Sequence, residues 1–239
     1  MLKTKIPYVD KTWNPITGCS AISEGCKNCY AKRMANRLRG RYGYPADDPF
    51  KVTFHPDRLK EPEKWKKPCK VFVCSMGDLF HEDVDDFDFE QARLDIWHIM
   101  ESCPQHTFLI LTKRPAIMRG FCMTKEPMKH IWLGVTAENQ DRADDRIPIL
   151  LSIPAAVHFV SIEPMLGPVN LNLCWECQVE PRKCHEHNKI DWVIAGPETG
   201  PGARECKSEW IEDLYEQCCL ANIPFFDKRK NYIKREFPK

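Results

Sequence analysis

Cys19, Cys26 and Cys29 stand within eleven residues of one another, spaced C-x6-C-x2-C. Three thiolates on one loop, with no fourth ligand beside them, can hold a metal centre and leave one coordination position open for chemistry. Zinc in a structural site normally draws four protein ligands, commonly as two close pairs. A four-iron cluster held by three cysteines instead leaves one iron free to take a small molecule. The residues therefore favour a catalytic [4Fe-4S] cluster, with zinc and unligated thiols as the alternatives.

A second group, Cys174, Cys177, Cys184 and His187, reads C-x2-C-x6-C-x2-H within an insertion spanning 172–189. His185 could substitute for His187. Four soft or borderline ligands on a compact hairpin make a reasonable zinc set, and the metal would do the folding that so little apolar content cannot. An auxiliary iron–sulfur cluster and no metal at all are the other readings. Thirteen cysteines make an odd disulfide set, and disulfides are uncommon in a reducing cytosol. Others, such as Cys74 and the pair Cys218-Cys219, lie among apolar residues and read as packing.

Short apolar runs at 71–74, 108–111, 131–135, 157–162, 192–195 and 224–226 suit strands buried on both faces. Helical periodicity over 87–103 and 208–221, a helix at 31–38 and an early strand within 12–17 complete a strand-then-helix order. The expectation is a single α/β domain over 1–239, a partial (β/α) barrel of six or seven parallel strands with the small Cys/His insertion. The residues just past each run are polar or glycine-rich, so one rim would carry the function.

Positive and negative residues nearly cancel, 35 against 34, so no global field advertises a nucleic acid or a membrane. No apolar run is long enough to span a bilayer and the start lacks a signal-peptide pattern, which predicts a cytoplasmic protein with no membrane partner.

At the rim, Asp78 could meet a cationic amino group or cap a helix. Glu138 and Glu163 could meet ribose hydroxyls or substrate, stabilise helix starts, or pair with Lys113 or Arg114. Lys113, Arg114 and Lys228 could place positive charge around an anionic substrate, and His81 is a further possible substrate contact. Trp13, Tyr42, Tyr44 and Trp65 interleave with basic residues and could stack on a nucleic-acid strand, or be scattered surface residues.

The cysteine loop after the first strand of a partial barrel resembles the radical S-adenosylmethionine superfamily. Closer still, the words Thr12-Trp13-Asn14-Pro15, Cys26-Lys27-Asn28-Cys29-Tyr30-Ala31, Asp78-Leu79-Phe80-His81-Glu82, Leu111-Thr112-Lys113-Arg114-Pro115, Trp132-Leu133-Gly134-Val135, Ser161-Ile162-Glu163-Pro164 and Gly200-Pro201-Gly202-Ala203-Arg204 resemble a phage-associated family with a three-cysteine motif, catalogued mainly as proteins of unknown function. The resemblance implies that Cys19, Cys26 and Cys29 bind three irons and that S-adenosylmethionine chelates the fourth. Reductive cleavage would yield methionine and a 5′-deoxyadenosyl radical. Gly77 and Asp78 would hold the cofactor's amino group, and Gly196 and Glu198 would lie near its adenine. The first gap is three residues longer than the superfamily's usual spacing, and Asn28 stands where an aromatic residue usually precedes the third cysteine, with Tyr30 just beyond.

The resemblance further implies an electron donor and, through the phage association, an isomerase or lyase acting on a hypermodified thymine in DNA within an infected host cell. A radical enzyme acting on RNA, a nucleotide or a peptide, and a non-catalytic metal-stabilised nucleic-acid-binding protein, are the alternatives.

Overall fold

The computed structural model describes residues 4, 6–82, 89–171, 189–229 and 236–238. Cys174, Cys177, Cys184 and His187 lie outside the described residues. The elements in chain order are β1 (Lys11–Trp13), β2 (Ile16–Thr17), α1 (Tyr30–Arg37), β3 (Thr53–Phe54), β4 (Lys70–Val73), α2 (Phe89–Ser102), β5 (Thr107–Thr112), α3 (Pro115–Cys122), β6 (Ile131–Thr136), α4 (Gln140–Leu151), β7 (His158–Ile162), β8 (Trp192–Ala195), α5 (Ser208–Leu220) and β9 (Phe225–Asp227). Seven strands pair in the order β1-β4-β5-β6-β7-β8-β9, all neighbours parallel, in a curled half-barrel. The expected partial barrel is therefore present. Among the described residues no helix is long and apolar enough to cross a membrane.

Each apolar run became a strand because both its faces are covered. Val71, Val73, Phe108, Ile110, Val160 and Val193 point outward into the main core. The alternating residues Phe72, Leu109, Trp132, Phe159, Trp192 and Phe226 point inward and join Tyr8 in a second core. Trp192 centres that inner layer, with the rings of Trp132, Phe159, Phe226 and Phe237 all within 6.1 Å. Burying each such ring removes enough apolar surface to contribute roughly 4–6 kcal/mol before entropy is counted. Gly134 makes room for the layer: a Cβ there would lie 2.5 Å from the Phe159 ring.

The single early strand expected over 12–17 is divided. β1 belongs to the half-barrel, whereas β2 pairs antiparallel with β3 in a two-stranded ribbon. Pro15 lies at the break and has no N–H to continue a ladder, while its carbonyl accepts from His55 N at 2.7 Å. α3 and α4 were not resolved by the sequence pattern. α4 contains Pro148 and starts at Asn139, whose side chain accepts from the Arg142 amide at 3.1 Å.

Candidate functional site

The cysteine loop begins where two strand ends touch. Asn14, just past β1, accepts from the Met76 amide at 2.9 Å and from the Ser75 hydroxyl at 3.1 Å. Gly18 comes next with φ +86°, and a Cβ on it would lie 2.1 Å from the Lys51 carbonyl oxygen, so only glycine fits. A Cβ on Gly77 would in turn meet the Gly18 carbonyl at 2.8 Å. The two glycines form a parallel bridge, which brings Cys19 against the end of β4. The loop then makes a tight turn at Glu24–Cys26 and passes into α1 directly after Cys29.

Segments past the carboxyl ends of four strands, β4, β5, β6 and β8, fasten the loop. From the end of β5, Arg114 donates to Cys19 Sγ at 3.4 Å and to the Ser20 hydroxyl at 2.9 Å. His81 also meets Ser20: its Nε2 accepts from the Ser20 amide at 3.0 Å. From beyond β6, the fully buried Glu138 accepts from the Gly25 amide at 3.3 Å and pairs with Arg146 at 2.9 Å. From beyond β8, Glu198 accepts from Asn28 Nδ2 at 2.8 Å, and Arg204 donates to the Glu24 carbonyl at 2.9 Å. The Asn28 amide also donates to the Gly202 carbonyl at 2.7 Å.

The loop's electrostatics are uneven. Burial, and then the charge of Asp78, push the Cys19 thiol up to about 12, with Arg114 acting in the opposite direction. Burial also works to raise Cys26, but a backbone hydrogen bond at Ile22, the charge of Lys113 and the Ser23 hydroxyl together bring it below the usual thiol range. Lys113 acts on Glu138 as well; burial opposes ionisation there, yet Lys113, Arg146 and Ser23 hold the carboxyl low. The Lys113 charge thus acts on both a loop thiol and the carboxyl that fastens the loop. Hydrogen bonds from Arg204, and then from Asn28, hold the Glu198 carboxyl at about 2 against burial, which works to raise it.

The remaining candidates fall into two groups. Asp78 is buried and accepts from the Thr112 hydroxyl at 2.7 Å, the Phe80 amide at 3.0 Å and the Lys113 amide at 3.3 Å. Together with Arg114 and His81 it forms a buried polar cluster under Cys19. Tyr30, Glu163 and Lys228 instead lie together around the barrel mouth. The Tyr30 ring is half exposed while its hydroxyl is enclosed and donates to the Ser75 carbonyl; burial, then Cys29 and Glu163, raise it. Glu163 pairs with Lys228, whose ammonium lies 5.4 Å from the Tyr8 ring centroid. Gly196 backs onto Lys228, where a Cβ would meet the lysine Cβ at 2.9 Å.

One residue at this mouth, Tyr8, had no sequence signal. Tyr8 is 4% exposed, and its ring packs edge-on against Phe72, Trp192 and Phe226. Burial, then Glu163 and Tyr30, raise its pKa, so the phenol stays protonated. The buried Ser161 hydroxyl, on the same face of β7 as Phe159, has no hydrogen-bond partner among the described residues. Ser161, Asn14 and Arg204, by contrast, belong to words singled out in the sequence. The proposed stacking platform is corrected: Trp13, Tyr44 and Trp65 are 0%, 5% and 9% exposed and serve as core, leaving Tyr42 exposed.

A family model described as "Protein of unknown function (DUF5131)" matches residues 3–237. The chain belongs to the DUF5131 family. No curated protein and no solved structure matches it. In this DUF5131 chain all three loop cysteines are free and partly exposed. Among the described residues no three His, Cys, Asp or Glu side chains converge on a point able to hold a single metal ion. The donor set nevertheless fits a cluster: three thiols on one fastened loop, with Arg114 and Lys113 supplying positive charge beside the sulfurs.

Proposed function

We propose that the protein is a radical S-adenosylmethionine enzyme whose [4Fe-4S] cluster is held by Cys19, Cys26 and Cys29. The observation that carries this reading is the cysteine loop at the carboxyl end of a parallel half-barrel, fastened from the ends of four different strands. When bound, the cluster and S-adenosylmethionine supply reductive cleavage to methionine and a 5′-deoxyadenosyl radical, given an electron donor. The chain's own part is positioning and shielding. Arg114, Glu138 and Glu198 hold the loop, while Tyr8, Ser161, Glu163 and Lys228 offer polar groups at the barrel mouth. The aromatic layer around Trp192 closes the interior below, which keeps water from a reactive species.

For the substrate we propose a hypermodified thymine in phage DNA, carrying an amino-acid adduct that is isomerised or cleaved in the host cytoplasm. Support comes from the stretch 25–46, which has six basic residues and no acidic one. Lys27, Lys32, Arg37, Arg39 and Arg41 are exposed there, beside Tyr42 at 75% exposure, and could neutralise a phosphodiester strand next to the loop. A zinc site in the 172–189 insertion is proposed alongside.

Anaerobic iron–sulfide reconstitution tests the reading. A brown protein with about four irons at this site, forming 5′-deoxyadenosine from S-adenosylmethionine and dithionite, is expected. Cys26→Ala should abolish that product while Cys177→Ala retains it. Colourless protein containing only zinc after reconstitution would sink the proposal and favour a non-catalytic nucleic-acid-binding protein. Stimulation by duplex DNA, single strands, RNA, free nucleotides or peptides would then sort the substrate.

A further inference from the structure

Arg114 caps the start of α3 just beyond the end of β5, and its side chain is only 4% exposed. A guanidinium carries five N–H groups, and five acceptors face this one. Nε donates to Glu82. Nη1 donates to Cys19 Sγ and to Asp78 Oδ2, each at 3.4 Å. Nη2 donates to the Ser20 carbonyl at 3.3 Å and to the Ser20 hydroxyl at 2.9 Å. Asp78 is itself fixed by Thr112, and Ser20 by His81. The cation is thus held from both sides and cannot turn towards a substrate in the barrel mouth. Of its acceptors, only the Cys19 sulfur would gain negative charge when a metal centre there is reduced.

We propose that Arg114 is a positioning residue that orients the Cys19 ligand and raises the reduction potential of the iron–sulfur centre through its N–H···S hydrogen bond. This rests on the radical-enzyme reading above. Reduction adds one electron from the donor, and no bond forms or breaks in that step. The added charge falls partly on the ligating sulfurs, so a donor aimed at one of them binds the reduced state more tightly. Asp78 and Glu82 offset the guanidinium's charge, which leaves the directed N–H as what the sulfur feels. Lysine would keep the charge but lose the planar fork.

Wild-type protein, Arg114→Lys and Glu82→Gln should be reconstituted anaerobically and compared by iron content, by midpoint potential in a dithionite titration followed by electron paramagnetic resonance, and by iron loss to a chelator. Arg114→Lys is expected to favour the oxidised state about tenfold, a fall of about 59 mV for one electron. Its iron should also leave 10–100-fold faster. Glu82 is 49% exposed, so its substitution spares the core. Removing that carboxylate frees Arg114 to bond the sulfur more strongly, and the midpoint should rise by about 28 mV, a threefold change. Iron-loaded Arg114→Lys with wild-type midpoint and iron loss overturns the proposal while leaving the cluster reading intact. If that variant fails to fold, an unchanged or lowered midpoint in Glu82→Gln overturns it instead. Wild-type protein that takes up no iron at the three cysteines refutes the underlying reading.

Discussion

Glu138→Gln probes how much the fastening of the cysteine loop contributes to the fold. The carboxylate is 0% exposed, pairs with Arg146 at 2.9 Å and accepts from the Gly25 amide at 3.3 Å. Glutamine has nearly the same shape and still offers an oxygen to Gly25, but it leaves a 5% exposed guanidinium whose other contact is the Thr136 carbonyl at 2.7 Å. Breaking a buried ion pair by removing one partner costs about 3–5 kcal/mol. The retained amide contact offsets about 1 kcal/mol of that. The expected loss is therefore about 3 kcal/mol, read by urea unfolding, or a fall in Tm of about 6–12 °C for a chain of this size. Arg146→Met should lose a similar amount, because it strands the carboxylate. The double variant should lose less than either single one, since neither charge is then left alone. Hydrogen exchange at Gly25 should accelerate in Arg146→Met, where Glu138 is free to move. A loss below about 1 kcal/mol in Glu138→Gln, or a double variant that simply sums the singles, would refute the reasoning.

Individual contacts give three further expected outcomes. Gly134→Ala should destabilise by about 1–3 kcal/mol, because its Cβ would press the Phe159 ring at 2.5 Å, and Phe159→Leu should restore part of the loss. His55 is held neutral, down to about 4 from the ordinary 6.5, by burial and then by Arg58. Its unfolded form takes up a proton first as pH falls, so stability should decline between those values by up to ~1.4 kcal/mol per pH unit, and His55→Gln should flatten that slope in urea titrations. Glu198, held at about 2 by Arg204, contributes stability that is fully present above its ordinary 4.5 and fades as pH falls from there towards 2; Glu198→Gln should remove this acid limb and speed proteolytic nicking of the 198–204 segment.

How much of the protein could be read from its sequence depended on the range of the forces involved. Continuous apolar runs announced β4 to β9, because a strand covered on both faces must be apolar throughout. Local periodicity likewise drew α2 and α5 to within two residues of their ends. Pro15 was legible as a residue, but its consequence required knowing that Thr53–Phe54 would arrive to pair with Ile16–Thr17. The three cysteines were plain from spacing alone. Their fastening was not, because Arg114, Glu138 and Glu198 lie 95, 113 and 170 residues from the loop atoms they bind.

The sequence alone therefore determined the parallel strands, the polar rim and a thiol loop short of a fourth ligand. Tertiary structure decided which rim charges remain available. It took Asp78, Arg114 and His81 into a buried cluster under Cys19, set the Lys113 charge to act on the loop, and made Trp13, Tyr44 and Trp65 core rather than a stacking surface. The physical reason is burial: a charged or aromatic side chain has the same chemistry anywhere in the chain, but its partners are chosen only when distant strand ends converge.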